Sequence, residues 1–519
     1  MERAEARFLA SWPVRISLAA AAVYCVAMAL AWAALSTQLP VDWGFELVLA
    51  QELRAFYIVS NPPLYTWIAW GLLQLLPPGQ SVFLVVNYAA TFSLFWLYAY
   101  AAHLTLKTRL LVAIAPWSLF LILPYSRLNF GFVNTQLLLP AVLATMLIVI
   151  FIAQQPRLGR FVALGIVAGL GVLSKLNYLF TILAVLGAAC LQAPMRGNIL
   201  RPTLLIVLGL AFALIAPYAV GFHEAGSDIF ALLRSKTTGA ATAGYFDKVG
   251  AGIASAASAL AVYLGPSLGV GLAGLVLARA GGDGQDEADQ RRAARRRFVR
   301  DLLIVGLVVI LVGIVMFGVT HMKSWYMHAF FLLAPLYALS YWDDARLDRP
   351  KLVAVALTVM GFAVVQSAHR VIEFTPSCIV TCRDVVPYDG LARELKAAGF
   401  QRGTIVGLGV LVSGNLRPHF PKTRVGLFGP NFLPAQRSGA ASGQCLAVWR
   451  SEDAPDPGKA EAAARATFAK MGLGTDAAGA AVGTVRLPWR GWSGGPRGHH
   501  AGVSVWHYIL IAKPSRQCG

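Results

Sequence analysis

The sequence predicts a polytopic α-helical membrane protein that ends in a small α/β domain. Of its 519 residues, 57% are hydrophobic and 13% charged, more apolar surface than one soluble core can hide. Long apolar stretches recur as far as residue 369. Beyond it the pattern changes to short alternating runs separated by polar, Gly- and Pro-containing segments. The net charge of +19 would suggest a nucleic-acid partner in a soluble protein. In a membrane protein it is first a matter of where cations lie relative to the bilayer.

About eleven stretches approach the roughly 20 residues that cross a hydrocarbon core: 14–36, 80–104, 108–125, 134–154, 160–174, 176–192, 202–221, 252–279, 301–320, 326–342 and 352–368. The opening MERAEARFLASWPVR is charged and precedes a long apolar run. This predicts a first transmembrane helix with a cytoplasmic N-terminus rather than a cleaved signal. On that orientation the inner segments carry nineteen Lys and Arg and the outer ones, before the tail, seven. The bias agrees with the positive-inside rule, and an odd number of spans places the tail outside. The stretch GGDGQDEADQRRAARRRFVR (281–300) reads as a charged cytoplasmic loop anchoring the topology. No aromatic residues interleave with its arginines until Phe298, which argues against nucleic acid.

The chain divides into a membrane domain, 1–369, with a prominent first outer loop at about 37–79, and an extracytoplasmic domain, 370–519. In the latter, VPYDGLARELKAAGF reads as an amphipathic helix, and GTIVGLGVLV, TRVGLF, CLAVW and VSVWHYILIA read as strands. A second helix is expected within 451–474 and a loop at 491–502. Four of the six cysteines, Cys378, Cys382, Cys445 and Cys518, lie in this domain. In an oxidising compartment they predict at least one disulfide out of three possible pairings. Zinc is the rival, weakened by ligand spacing. Cys25 and Cys190 fall in spans as small apolar residues.

The first outer loop holds the densest chemistry. Asp42 and Glu46 are four residues apart, so a helix starting near 42 puts both carboxylates on one face. Asp42 could instead cap that helix. Asn61-Pro62-Pro63 fixes an extended entry to an aromatic interfacial stretch, Leu64 to Leu76, with Tyr65 and Trp67. Arg127, Lys175 and Lys323, the last with His321 and His328 beside it, are cations on the outer side. Each alone would be read as snorkelling to the headgroups. Together they run against the positive-inside bias and suit an anion such as phosphate. Carboxylates, cations and a rigid interfacial element on one side point to a reaction at the outer leaflet.

With these residues in view, the chain resembles the polytopic GT-C glycosyltransferases, specifically the family 39 or PMT-type group. That group includes protein O-mannosyltransferases and the bacterial transferase that adds aminoarabinose to lipid A. Asp42 matches the acid of the first outer loop, and Asn61-Pro62-Pro63-Leu64-Tyr65-Thr66-Trp67 matches a Pro-Pro motif about twenty residues on. AGLGVLSKLNY (168–178), with Lys175 and Asn177, and HMKSWYMHAFFLLAPL (321–336), with His321 and Lys323, resemble two further family segments. Tail pieces YDGLARELKAAGF, GTIVGLG, GNLRPHFP and GQCLAVW extend the resemblance over nearly the whole chain. Two positions depart from it: Trp43 stands where members have Glu after the acid, and Asn61 replaces His or Gln.

The resemblance implies an inverting membrane glycosyltransferase in the bacterial cytoplasmic (inner) membrane. It would take sugar from a polyprenyl-phosphate donor to a lipid, glycan or protein hydroxyl at the outer face. Asp42 would be the general base, with Glu46 a second carboxylate. Lys175, Lys323 and Arg127 would bind the donor phosphate. Asn61, Pro62, Pro63, Tyr65, Trp67, Asn177 and His321 would line the substrate pocket. No cofactor or metal is implied, and a divalent cation finds no support in the sequence. Two other readings are a lipid-linked-sugar transporter or flippase, which predicts mid-membrane charges and internal repeats, and a non-catalytic sugar-lipid-binding scaffold.

Overall fold

The computed structural model describes residues 8, 10–36, 38–57, 61–128, 133–226, 228, 244–277, 287–344, 349–375, 385–428, 442–454, 456–472, 480–489 and 502–518. Seven helices among them are long and apolar enough to cross a membrane: Trp12–Leu35, Gln80–Thr105, Val133–Gln154, Leu204–Glu224, Tyr245–Leu277, Asp289–Phe317 and Arg349–Phe374. Two shorter apolar helices, Leu158–Ser174 and Tyr178–Cys190, fall where the sequence divides at Ser174 to Asn177. The two remaining expected spans are not continuous helices. Residues 108–125 break into Arg109–Ile114 and a 3-10 segment, Pro116–Leu121. Residues 326–342 break into Ser324–Met327, His328–Phe331 and Ala334–Asp344. Proline explains both interruptions: Pro116 and Pro335 lack an N–H and their rings crowd the carbonyl four residues back. Among the described residues, seven long and two shorter apolar helices stand where about eleven spans are expected, so that count is not confirmed.

By contact the chain forms two compact units, one of Met1–Val26, Val59–Leu64 and Asn87–Ala368, the other of Ala27–Ile58, Tyr65–Val86 and His369–Gly519. In the first, Val133–Gln154 is mostly buried, whereas Leu204–Glu224 exposes Leu205, Leu208, Phe212 and Val220. An exposed apolar helix is what lipid requires. Leu204–Glu224 packs on Leu158–Ser174 through Gly165 and Gly169. A Cβ added at Gly169 would lie 2.8 Å from Leu214 Cδ1, and one at Gly165 3.1 Å from the Val207 backbone. Small residues four apart let helices approach closely where no hydrophobic effect drives them together.

The arginine-rich run is not a loop. Residues 287–300 open the 31-residue helix Glu287–Phe317. Alanine and arginine are good helix formers, acids occupy the first turn, and Glu287–Arg291 and Asp289–Arg292 pair at helical spacing. Arg295 and Arg296 donate to the Leu104 and Thr105 carbonyls, each at 2.8 Å, at the end of Gln80–Thr105. The wholly buried Asp343 carboxylate accepts from the Lys107 and Thr108 N–H groups at 2.7 and 2.8 Å and pairs with Arg296. These arginines thus satisfy helix-end carbonyls.

In the second unit, five strands form a mixed sheet in the order β2-β1-β3-β5-β4. They are β1 (Gly403–Gly407), β2 (Arg424–Leu427), β3 (Gly443–Arg450), β4 (Ala480–Pro488) and β5 (Val503–Ser515). β1 is parallel to β2 and β3, and β5 is antiparallel to β3 and β4. Alternation fills both faces. Ile405, Leu446, Val448 and Leu510 pack with helix Tyr388–Ala397 on one side. Val406, Cys445, Ala447, Ile509 and Ile511 pack with Pro457–Lys470 on the other. The expected strand GTIVGLGVLV runs only to Gly407. Gly409, at φ +88°, turns the chain into helix Val410–Leu416. Strand β4 was not among the expected strands. Cys445 and Cys518 are disulfide-bonded, with Cα atoms 5.2 Å apart. Cys378, Cys382 and most of the 491–502 loop lie outside the described residues.

Candidate functional site

The carboxylates lie on the nine-residue helix Val41–Leu49 of the second unit. Its N-cap is Pro40, so Asp42 does not cap it. Asp42 sits half-buried in the first turn, where the helix dipole favours a negative charge. Glu46, one turn on, is buried and accepts from Thr66 Oγ1 at 2.5 Å. The bond ties this helix to Leu64–Leu72, the helix that opens straight after Pro63. The departure at Trp43 has a packing reason. Its ring is fully buried, stacked 5.2 Å from Phe83 and tilted against Trp32 at 4.7 Å.

Tyr65 is also fully buried and stacks on Phe83. Burial, and then the charges of Glu46 and Asp42, push its phenol well above the usual tyrosine range. It therefore remains a neutral hydroxyl beside the two acids. Trp67 donates from Nε1 to the Arg54 carbonyl at 2.7 Å, and Arg54 pairs with Glu52. Pro62 and Pro63 are buried and Asn61 is half-buried.

The first unit holds a second polar group around Lys175. This residue ends helix Leu158–Ser174 in extended backbone, and its Nζ donates to Thr135 Oγ1 at 2.7 Å. Asn177 follows as the N-cap of Tyr178–Cys190, its Oδ1 buried without a hydrogen-bond partner among the described residues. Asn134, next to Thr135, has both side-chain polar atoms in that condition. The wholly buried His328 lies within electrostatic reach of Lys175. Its Nδ1 meets the Tyr263 hydroxyl at 2.9 Å, and its Nε2 has no hydrogen-bond partner among the described residues. Buried polar groups are ordinarily paired, and several left unmatched among the described residues, on the segments that carry Lys175 and Thr135 and on His328, suit a polar ligand.

Lys323 caps the 3-10 turn Ser324–Met327 and holds its ammonium 5.2 Å from the centre of the Trp325 ring. His321 is exposed. Arg127 lies on the short helix Tyr125–Leu128. Thus Asp42, Glu46 and Tyr65 are gathered in one unit, with Thr66 added, and Lys175 and Asn177 in the other, with Thr135, Asn134, Tyr263 and His328 added. The triplet Asn134-Thr135-Gln136 opening an apolar helix was the signal for part of the second group. Nothing in the sequence spacing pointed to Tyr263. Among the described residues, no three His, Cys, Asp or Glu side chains group to hold a metal.

The family model described as dolichyl-phosphate-mannose-protein mannosyltransferase matches residues 60–220. Lipopolysaccharide core galacturonosyltransferase RgtB of Rhizobium johnstonii is 27% identical over 229 residues, a match covering 44% of this chain and 46% of that protein. RgtA of the same organism is 23% identical over 437 residues, covering 80% and 82%. The chain thus spans about half of the first of these relatives and most of the second. Among solved structures, ArnT from Cupriavidus metallidurans bound to undecaprenyl phosphate superposes with a TM-score of 0.56 at 12% identity, covering 94% of this chain and 97% of that one. Apo ArnT gives 0.57 over 96% and 98%, also at 12% identity. At that identity the likeness speaks for the fold, while the family model and the RgtA and RgtB matches speak for the family. Together these similarities support a PMT-type membrane glycosyltransferase with an ArnT-like fold.

Proposed function

We propose that this chain moves a sugar from a polyprenyl-phosphate donor to an acceptor hydroxyl at the outer face of the bacterial inner membrane, with inversion at the anomeric carbon. The observation that carries the donor class is the Lys175 group: an ammonium held on Thr135, with buried polar atoms of the adjoining Asn134 and Asn177 and of His328 that have no hydrogen-bond partner among the described residues. A lipid-linked phosphate supplies both the charge and the acceptors that such a group needs in an apolar interior. The printed name of the liganded ArnT structure, bound to undecaprenyl phosphate, supports the same class.

Asp42 takes the proton of the acceptor hydroxyl as its oxygen attacks the anomeric carbon. The bond from that carbon to the phosphate oxygen breaks, and the polyprenyl phosphate leaves with the electron pair. Lys175, Lys323 and Arg127 stabilise the charge that develops on it. Glu46, fixed by Thr66, backs Asp42, and Tyr65, Trp67, Asn61, Pro62, Pro63, Asn177 and His321 shape the surroundings of the sugar. The N-terminus is cytoplasmic and the tail periplasmic. The Cys445–Cys518 disulfide supports that placement, because such bonds persist in oxidising compartments.

The first donor to try is undecaprenyl-phosphate galacturonate with lipopolysaccharide as acceptor, because the RgtA and RgtB relatives are named for that sugar and that core. Purified protein in detergent is expected to transfer label. Asp42→Asn should lower transfer by at least about 10²-fold, the scale of a positioned general base, while keeping the size-exclusion profile. Wild-type transfer by that variant would remove Asp42 from the mechanism.

A further inference from the structure

The helix that carries Asp42 is too short to hold itself. Nine residues form a marginal helix in isolation, and each end leaves backbone groups without intrahelical partners. In the second unit the C-terminal domain holds the chain on either side of the helix. At the N-terminal end, Asn415 reads both backbone groups of Leu39. Its Oδ1 accepts from the Leu39 N–H at 2.7 Å, and its Nδ2 donates to the Leu39 carbonyl at 3.2 Å. The same amide donates to the Leu411 carbonyl at 2.9 Å, which anchors it in its own helix, Val410–Leu416.

At the C-terminal end, Arg417, 8% exposed, donates to the Leu47 carbonyl. Gln51 donates to the Val48 carbonyl at 2.6 Å and exchanges two bonds with Val425 of β2, donating to its carbonyl at 2.6 Å and accepting from its N–H at 2.9 Å. Between the two ends the helices touch backbone to backbone. A Cβ added at Gly414 would lie 2.3 Å from Gly44 Cα, and one at Gly44 3.0 Å from the Val410 carbonyl oxygen. Asp42 lies between the Leu39 clamp and the Gly44 contact.

We propose that the C-terminal domain is a splint for the carboxylate helix, with Asn415 and Gly414 as positioning residues that set where the Asp42 carboxylate stands. A clamp at each end fixes the helix along its axis, and the glycine contact fixes its rotation and depth. A catalytic carboxylate must be held to within about 0.5 Å, and a misplacement of about 1 Å can cost 10²-fold in rate. The inference rests on the assignment of Asp42 as the base.

The test uses the full-length protein, with undecaprenyl-phosphate [14C]galacturonate and lipopolysaccharide as probes, and amide hydrogen exchange as a second readout. Asn415→Ala should lower kcat about 10- to 100-fold with the donor KM within about twofold, and speed exchange at the amides of 41–49. Asn415→Asp keeps the acceptor for the Leu39 N–H and should recover part of the rate. In an Asp42→Asn background, Asn415→Ala should cost nothing further, because the group it positions is gone. Unchanged exchange at 41–49, a rise in KM with kcat intact, or a full additional loss in that background would each overturn the splint. Wild-type transfer by Asp42→Asn alone would instead defeat the base assignment, and the exchange result would still judge the clamp.

Discussion

Replacing Lys175 by glutamine tests the donor reading most directly. Glutamine keeps an N–H donor, though one bond shorter in reach, for Thr135 Oγ1, which Lys175 Nζ meets at 2.7 Å, and removes the positive charge. A leaving phosphate gains about one unit of negative charge as its bond to the sugar breaks. Two unit charges about 4 Å apart at an effective dielectric near 20 interact by about 4 kcal/mol. Lys175 is only half-buried and is proposed to share the task with Lys323 and Arg127, so about 2–3 kcal/mol is the expected share, or roughly 30- to 150-fold in kcat. Single-turnover transfer with saturating acceptor reads the chemical step directly. The variant must first elute as the wild type does and melt within a few degrees of it. Lys175→Arg, which restores charge but not shape, should recover part of the loss. A Lys175→Gln protein with the wild-type single-turnover rate would refute the phosphate role, whatever its KM.

Three further outcomes follow from the packing. The Cys445–Cys518 disulfide closes a sequence separation of 73, for which the chain-entropy relation gives about 4 kcal/mol. Cys445→Ser with Cys518→Ser should make the C-terminal domain of the intact protein markedly easier to proteolyse, and equal digestion rates would count against a structural bond. Asp343→Ala leaves the Lys107 and Thr108 N–H groups and the Arg296 charge without their buried acceptor. A loss of about 3–5 kcal/mol is expected, read as a large drop in melting temperature in detergent, and a shift of only a degree or two would contradict it. Gly169→Leu forces a side chain into space where even a Cβ meets Leu214 at 2.8 Å. It should separate helix Leu158–Ser174 from Leu204–Glu224 and lower the yield of folded protein, while Gly209→Ala, with open space at its Cβ, should not.

How much of this was legible in the chain depends on the range over which each signal acts. Helix lengths in the membrane domain follow from local hydropathy, and Trp12–Leu35, Gln80–Thr105 and Val133–Gln154 lie within one or two residues of the stretches that the sequence outlines. The breaks at Pro116 and Pro335 were also in view, but a proline is tolerated inside Val133–Gln154 and Leu204–Glu224. Which proline interrupts a span is decided by what surrounds it. The arginine run misled because its glycines and charges read as a loop, whereas Glu287 and Asp289 pair at helical spacing and the arginines find carbonyls on another helix. Strand β4 escaped because AAVGTVRLP is half-exposed at a sheet edge, so only part of it alternates.

At the candidate site, the spacing of Asp42 and Glu46 was legible because a helix turn is local, but their environments were not. Glu46 meets Thr66 and is buried, Asp42 is half-buried, and that difference depends on contacts such as the one to Thr66, twenty residues away. The residue between them in the argument, Trp43, stands where the resembled family carries a second acid. In this chain that position is occupied by a buried ring stacked on Phe83 and tilted against Trp32. A carboxylate there would have to be desolvated among aromatic rings, at a cost of several kcal/mol unless paired. The Trp43→Glu protein is therefore expected to be less stable than the wild type rather than more active. The aromatic cluster thus gives the ring at this position a structural role of its own.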